Sequence, residues 1–353
     1  MNRIQSVEVS KVELEEIEAI YNEPSYGIST MSPILSEMIC GWRKNTFNLI
    51  VASSGVGKSM MCLSNIAYGF ASKFYVNGEW KCNKGLSENK VLYIGTHMDL
   101  LRECLPQIIC CVGGLDYNKY QKREFSEEER ARYNKAFEVI KNDKKIVLKD
   151  DNDYNYQSLR DMVNSDEEFE TVFLDYLEVT PALIEEQPDT ILILNNLARL
   201  CKNDLAKDRA VIAMAQANTY LEDKKLGEIG ADNIKGSHTM HHKADTLLFL
   251  MKGSAFDYKY LTRANPNVDF EGYFDEFEGL SKKVGKVLTI NPERIRKVLL
   301  KGKIKGCSVP SGTCLWGYVE PDTQRWHDLF ATDSDYKLVN LDGVILKDGK
   351  IIL

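Results

Sequence analysis

The sequence predicts an α/β protein whose central sheet is mostly parallel and flanked by helices on both faces. Three observations lead there. Short, almost wholly apolar runs recur along the chain, helical stretches separate them, and a small-residue segment of the phosphate-loop type sits between the first run and the first long helix. Strands buried on both faces read as continuous apolar runs, whereas a sheet with one wet face alternates. Right-handed crossovers between such strands make one α/β domain the economical architecture.

From the N-terminus, Val9 to Tyr21 places Val9, Val12, Leu14, Ile17 and Ile20 between glutamates at helical spacings, and Asn22-Glu23-Pro24 ends the pattern. This short amphipathic helix either folds back on its own domain or docks on a neighbouring subunit. Asn48–Ala52 is the first apolar run and Met60–Ala71 the helix after it. Val91–Ile94, Ile146–Leu148, Thr171–Leu174, Ala210–Met214 and Thr246–Leu250 are the later runs, with helical stretches at Glu127–Lys141, Gln157–Asn164 and Thr190–Asp208. Asn77-Gly78 between Phe74–Val76 and Glu79–Lys81 is a hairpin signal, as are the Asp-Gly pairs near the C-terminus. Phe256–Lys283 is polar, acidic and aromatic with little periodicity, and reads as a surface insertion. The expected layout is a linker or docking helix over 1–24, one domain over 25–330 with surface insertions at about 74–88 and 256–283, and a β-hairpin tail over 331–353.

Composition narrows the class. The 353 residues carry 45 Lys+Arg against 52 Asp+Glu, a net charge of −7, which argues against a surface built mainly to grip nucleic acid or an anionic membrane. A small basic site inside a larger assembly stays open. The nine cysteines contain no CxxC pair and read as reduced thiols, with Cys110-Cys111 as packing, and no signal peptide is evident. No apolar run approaches the roughly 20 residues that span a bilayer. A cytoplasmic location without membrane contact follows as an expectation.

Ala52-Ser53-Ser54-Gly55-Val56-Gly57-Lys58-Ser59 fits the phosphate-loop pattern except that Ala52 stands at the first glycine position. Small residues are needed because successive N–H groups must turn inward around phosphates at a helix N-terminus. Ser53 through Met60 are therefore the candidate nucleotide-binding residues. Lys58 neutralises β- and γ-phosphates, and Ser59 places its hydroxyl on Mg²⁺, with ATP as the nucleotide. A second carboxylate belongs at the end of a neighbouring strand; Asp175, closing Thr171–Leu174, supplies it. Gln216, after the strand Ala210–Met214, is placed to sense the γ-phosphate.

Taken in order, Tyr26–Thr30, Ala52–Ser59, Leu174-Asp175-Tyr176-Leu177, Ala215-Gln216-Ala217-Asn218 and Lys243–Phe249 resemble the RecA-type motor domain of the DnaB-like, hexameric replicative helicases, in the style of bacteriophage members. The resemblance covers about residues 9 to 330. It implies a RecA-like P-loop fold and ATP-driven translocation on single-stranded DNA, with strand separation and ATP held between subunits of a homo-oligomeric ring, taken as a hexamer. Lys58, Ser59, Asp175 and Gln216 carry over. Primase and a helicase loader are the further partners it suggests, although the family's primase-binding N-terminal domain is expected to be missing. Asn218–Lys243 becomes a loop toward the channel, with Lys224, Lys225 and Lys235 as candidates for DNA phosphates.

Two positions depart from the family. His97 stands where the resemblance places the glutamate that polarises the attacking water, with Asp99 or Glu103 as alternatives one turn on. Histidine can serve as a general base near neutral pH. Lys303 stands where an arginine reaching a neighbour's ATP is expected, and Arg294 or Arg296 fit under another alignment. His238, His241 and His242 lack a carboxylate or cysteine to complete a metal set, so no such site is expected. An ATP-binding assembly or loading factor with weak hydrolysis, and a DNA-coating recombinase-like ATPase, remain as alternatives.

Overall fold

The computed structural model describes residues 26–236, 240–277, 279–302, 304, 307–320 and 322–341, together with Glu13, Glu18 and the backbone of 345–347 and 350–352. The apolar runs become strands β1 (Thr46–Ala52), β4 (Lys90–Gly95), β5 (Ile146–Asp150), β6 (Phe169–Asp175), β7 (Ala210–Gln216) and β8 (Thr246–Lys252), with β2 (Lys73–Val76) and β3 (Glu79–Cys82) forming the expected hairpin. Asn77 and Gly78 at its tip both have positive φ, the twist that two-residue hairpin turns need. Further along lie β9 (Ser281–Val284), β10 (Val287–Ile290), β11 (Ile295–Lys301), β12 (Cys314–Val319), β13 (Trp326–Thr332) and β14 (Leu338–Val339).

Ten strands make one sheet in the order β14-β13-β12-β11-β8-β1-β7-β6-β4-β5. The half from β8 to β5 is parallel, and it is the half the apolar runs foretell. Because these strands point one way, the loops after β1, β4, β6 and β7 all open on one edge of the sheet, where α/β proteins bind ligands. Ala52 lies opposite Gln216, and Gly95 opposite Asp175, so the ends that carry chemistry are level. Helices Lys58–Phe70, Leu105–Gly113 and Thr190–Leu200 cover the sheet, their buried faces filled by Met61, Ile66, Ile108, Ile193 and Leu197.

The half from β11 to β14 is antiparallel and corrects the expected layout. The stretch 256–283 is no plain surface insertion. It forms helices Asp257–Ala264 and Phe270–Asp275 and the β9–β10 hairpin, and Leu261, Phe270 and Phe274 are buried. Phe270, Tyr273 and Phe274 surround Phe330 of β13 with ring centroids 5.7, 5.9 and 6.3 Å away. These helices are too short to display a 3.6-residue period, so their aromatics look like surface decoration in the sequence although they fill the core. The boundary expected at 330 falls inside β13, and β14 pairs with it; only the hairpin of Ile345–Lys347 with Lys350–Ile352 is separate. The Val9–Tyr21 helix lies, but for Glu13 and Glu18, outside the described residues.

Candidate nucleotide site

The phosphate loop leaves β1 and becomes helical at Lys58. Gly55 and Gly57 have φ of 72° and 108°, which side-chain-bearing residues rarely adopt. A Cβ on Gly57 would also stand 3.1 Å from the Met60 terminal methyl. Gly57, at the N-cap, offers no capping side chain, so the first helical amides stay open to an anion. Lys58 folds back over the loop and donates from Nζ to the Ser53 carbonyl at 3.1 Å. Burial lowers the pKa of this ammonium, and the Asp175 carboxylate partly offsets the effect.

Asp175 ends β6 and is buried. The Tyr93 hydroxyl donates to its Oδ2 at 2.9 Å, and the Ser59 side chain hydrogen-bonds it as well. Gly95 makes room for this, because a Cβ there would lie 2.9 Å from the Tyr93 ring. Burial raises the Asp175 pKa, while hydrogen bonds from Ser59 and Tyr93 and the charge of Lys58 pull the other way. Among the described residues no ion pair closes on Asp175. A desolvated carboxylate beside a serine hydroxyl is a set of hard oxygens that fits Mg²⁺ with its retained waters.

Gln216 ends β7, and its Oε1 accepts from Lys235 Nζ at 3.2 Å while its carbonyl accepts the Lys235 N–H at 2.9 Å. The phosphate loop touches the same segment. Ser53 Oγ lies 3.2 Å from a Glu222 carboxylate oxygen and 3.3 Å from the Thr219 carbonyl, and it accepts the Leu221 N–H at 3.2 Å. His97, just past β4, is more than half exposed, and its Nε2 lies 3.1 Å from both the Tyr176 hydroxyl and a Glu178 carboxylate oxygen.

Lys58, Ser59, Asp175 and Gln216 thus meet at one sheet edge, as an ATP-driven motor requires. Residues 27–270 match the DnaB-like helicase C terminal domain. The chain belongs to the DnaB-like helicase C-terminal domain family. The solved ATPase domain of a phage helicase is similar at 18% identity with a TM-score of 0.59, covering 89% of this chain and 95% of that one. The structure of a DnaB-like replicative helicase and its interactions with primase is similar at 16% identity with a TM-score of 0.62, covering 91% of this chain and 68% of that one. No curated protein resembles the chain closely enough to count as a match. A helicase and ATPase role goes with this family.

Several alternatives raised by the sequence are occupied elsewhere in this DnaB-like domain. Asp99 accepts the Leu101 and Arg102 N–H groups and Glu103 accepts the Asp99 N–H, so both carboxylates cap the helical turn Leu100–Cys104. Arg296 donates from Nε to the Val56 carbonyl at 2.9 Å and from a terminal nitrogen to the Glu293 carbonyl at 3.0 Å. It braces its own phosphate loop, which removes it from the candidates for a finger reaching a neighbour. Arg294 packs against Gly279; Lys303 lies outside the described residues, as does His238. His241 and His242 stack with centroids 3.9 Å apart, and among the described residues no cluster could hold a metal through His, Cys, Asp or Glu.

The three loop lysines do not share one patch. Lys235 rests on Gln216, whereas Lys224 and Lys225 line a cavity of about 350 Å³ with Phe256, Tyr260 and Tyr336. A larger cavity, about 1180 Å³, opens among Tyr26, Trp42, Thr46 and Asp245 at the opposite edge of the sheet. Among the described residues no helix is long and apolar enough to cross a membrane. Sequence reasoning missed Tyr93, Glu178 and Glu222. The only signal for Glu178 was its place directly after Asp175-Tyr176-Leu177.

Proposed function

We propose that this chain is the ATP-driven motor of a replicative DNA helicase, which translocates on single-stranded DNA as a homo-oligomeric ring, taken as a hexamer, and separates strands during DNA replication in the cytoplasm. The observation that carries the reading is the link from the phosphate site to the loop after β7: Gln216 stands level with the phosphate loop and holds Lys235 at 3.2 Å. Residues Ser53 to Met60 cradle the triphosphate, with Lys58 on its β- and γ-oxygens. Ser59 and Asp175 hold Mg²⁺, which when bound offsets charge on those oxygens. His97 orients the attacking water. Gln216, feeling the γ-phosphate, shifts Lys235, which with Lys224 and Lys225 offers positive charge to DNA phosphates without reading bases.

The ring reading supplies a role for a cation from the neighbour, where Lys303 and Arg294 remain candidates, and for primase and a loader as partners. ATP turnover with and without single-stranded DNA, together with unwinding of a forked duplex, tests the proposal. DNA-stimulated turnover and unwinding, both lost in Lys58→Ala, are the expected result. ATP-promoted assembly without DNA-stimulated turnover would sink the motor and favour a loading factor, the reading that His97 in place of glutamate supports.

A further inference from the structure

The loops after β4 and β6 bring together two side chains that are 81 residues apart in the chain. His97 lies two residues past Gly95 and Glu178 three past Asp175, and Gly95 and Asp175 are register partners. Glu178 sits behind His97: 22% of its side chain is exposed against 55% for the imidazole. Its backbone is clamped by buried Tyr154, whose hydroxyl accepts the Glu178 N–H at 3.0 Å and lies 3.1 Å from the Glu178 carbonyl. Tyr176 lies against the imidazole with centroids 5.1 Å apart, and the same ring has Lys58 Nζ 5.7 Å from its centroid. One aromatic ring therefore joins His97 to the lysine of the phosphate loop.

We infer that Glu178 is a positioning residue of the ATP site, which fixes His97 so that a His97–Glu178 pair from two adjacent parallel strands takes over the task of a single glutamate. This rests on the ATP-hydrolysing role proposed above. An ionised carboxylate only accepts hydrogen bonds, so the imidazole proton is held on Nε2 and Nδ1 keeps its lone pair. As the water oxygen bonds to the γ-phosphorus and the β–γ bridging oxygen leaves with ADP, Nδ1 takes the water's proton. Glu178 then balances the imidazolium. Without the carboxylate either nitrogen can carry the proton, and the cation formed has no counter-charge.

The test uses the full chain with ATP, Mg²⁺ and single-stranded DNA. Glu178→Gln, nearly isosteric, should lower DNA-stimulated kcat by about 10- to 100-fold, the usual effect of removing an orienting partner. The KM for ATP should move less than about two-fold, because the lost interaction acts in the transition state. In a His97→Gln background the same change should add little, since the pair acts as a unit. Imidazole nitrogen NMR gives a readout independent of turnover: His97 should favour the Nε2–H tautomer, and Glu178→Gln should redistribute it. A wild-type protein without DNA-stimulated hydrolysis overturns the motor and this role together. Normal turnover in Glu178→Gln, a full additional loss in the His97→Gln background, or an unchanged tautomer overturns the pairing alone.

Discussion

In the antiparallel half of the sheet Lys297 and Asp257 form an ion pair 2.9 Å apart, with 0% and 1% of their side chains exposed. In the parallel half Lys58 and Asp175 share a site and do not pair: Lys58 donates to a backbone carbonyl, and Asp175 accepts from Tyr93. The first pair is closed. Lys297 also faces the Trp316 ring at 5.3 Å, and Ser254 donates its N–H to the same Asp257 carboxylate. The second pair is held open, and the opposing pKa shifts show it: burial lowers Lys58 and raises Asp175, so each is left short of compensating charge. A triphosphate and a divalent cation are the charges that would complete them. The lesson is that a buried charge satisfied by its mate serves the fold, whereas buried charges kept from their mates are available for a ligand.

The comparison breaks most sharply at Lys58. Lys58→Ala should cut ATP turnover by at least about 10²- to 10³-fold, the scale for removing one preorganised charge from a developing transition state. Steady-state hydrolysis checks this, and turnover within about ten-fold of wild type would mean that the loop does not act on phosphates.

Next in size is Lys297. Lys297→Met leaves Asp257 buried and unpaired and should cost on the order of 3–5 kcal/mol of stability, read by denaturant unfolding. Lys297→Met with Asp257→Leu removes both charges and should recover most of that loss, because desolvating two ions offsets their attraction. A double variant as unstable as the single one would show that the pair does more than satisfy itself.

These two regions were unequally legible in the sequence. The parallel strands announced themselves as apolar runs, and Lys58, Ser59, Asp175 and Gln216 sit at their ends in a fixed order, so both fold and phosphate site followed from local pattern. Lys297 gave no signal, since a lysine beside Val298–Leu300 reads as a solvent-facing strand residue. Asp257 was hidden in a stretch whose helices are too short to show periodicity. Tyr93 and Glu178 escaped for another reason: their roles are contacts across 82 and 81 residues of chain, which no local spacing encodes. Arg296 was visible as a cation, but only the fold shows that it holds its own phosphate loop.

Asp175→Asn separates stability from function. With the folded pKa raised above the unfolded one, the carboxyl's contribution is fully present below the unfolded value, roughly 3.9, and is lost as pH rises through the folded value. At neutral pH the ionised group therefore destabilises the nucleotide-free fold. The amide stays neutral throughout, so Asp175→Asn should raise the thermal midpoint by a few degrees, on the order of 1 kcal/mol, and flatten its fall with pH while abolishing hydrolysis. A lower midpoint at neutral pH would show that the charge is already compensated in the free protein.

The smallest effect belongs to a lysine that is neither closed nor buried. Lys235 is exposed and has the neutral amide oxygen of Gln216 as its partner, so its charge is left over for an anion outside the site. Lys235→Gln should weaken single-stranded DNA binding a few-fold regardless of sequence, since a phosphate contact carries no base information. The salt dependence should shrink too, because each lost phosphate contact removes about 0.7 from the slope of log affinity against log salt on a single strand. Anisotropy titrations of a labelled oligonucleotide over a salt series measure both. An unchanged slope would place Lys235 outside the DNA path and leave its bond to Gln216 as a brace within the loop, which would also cut the link proposed between γ-phosphate and strand.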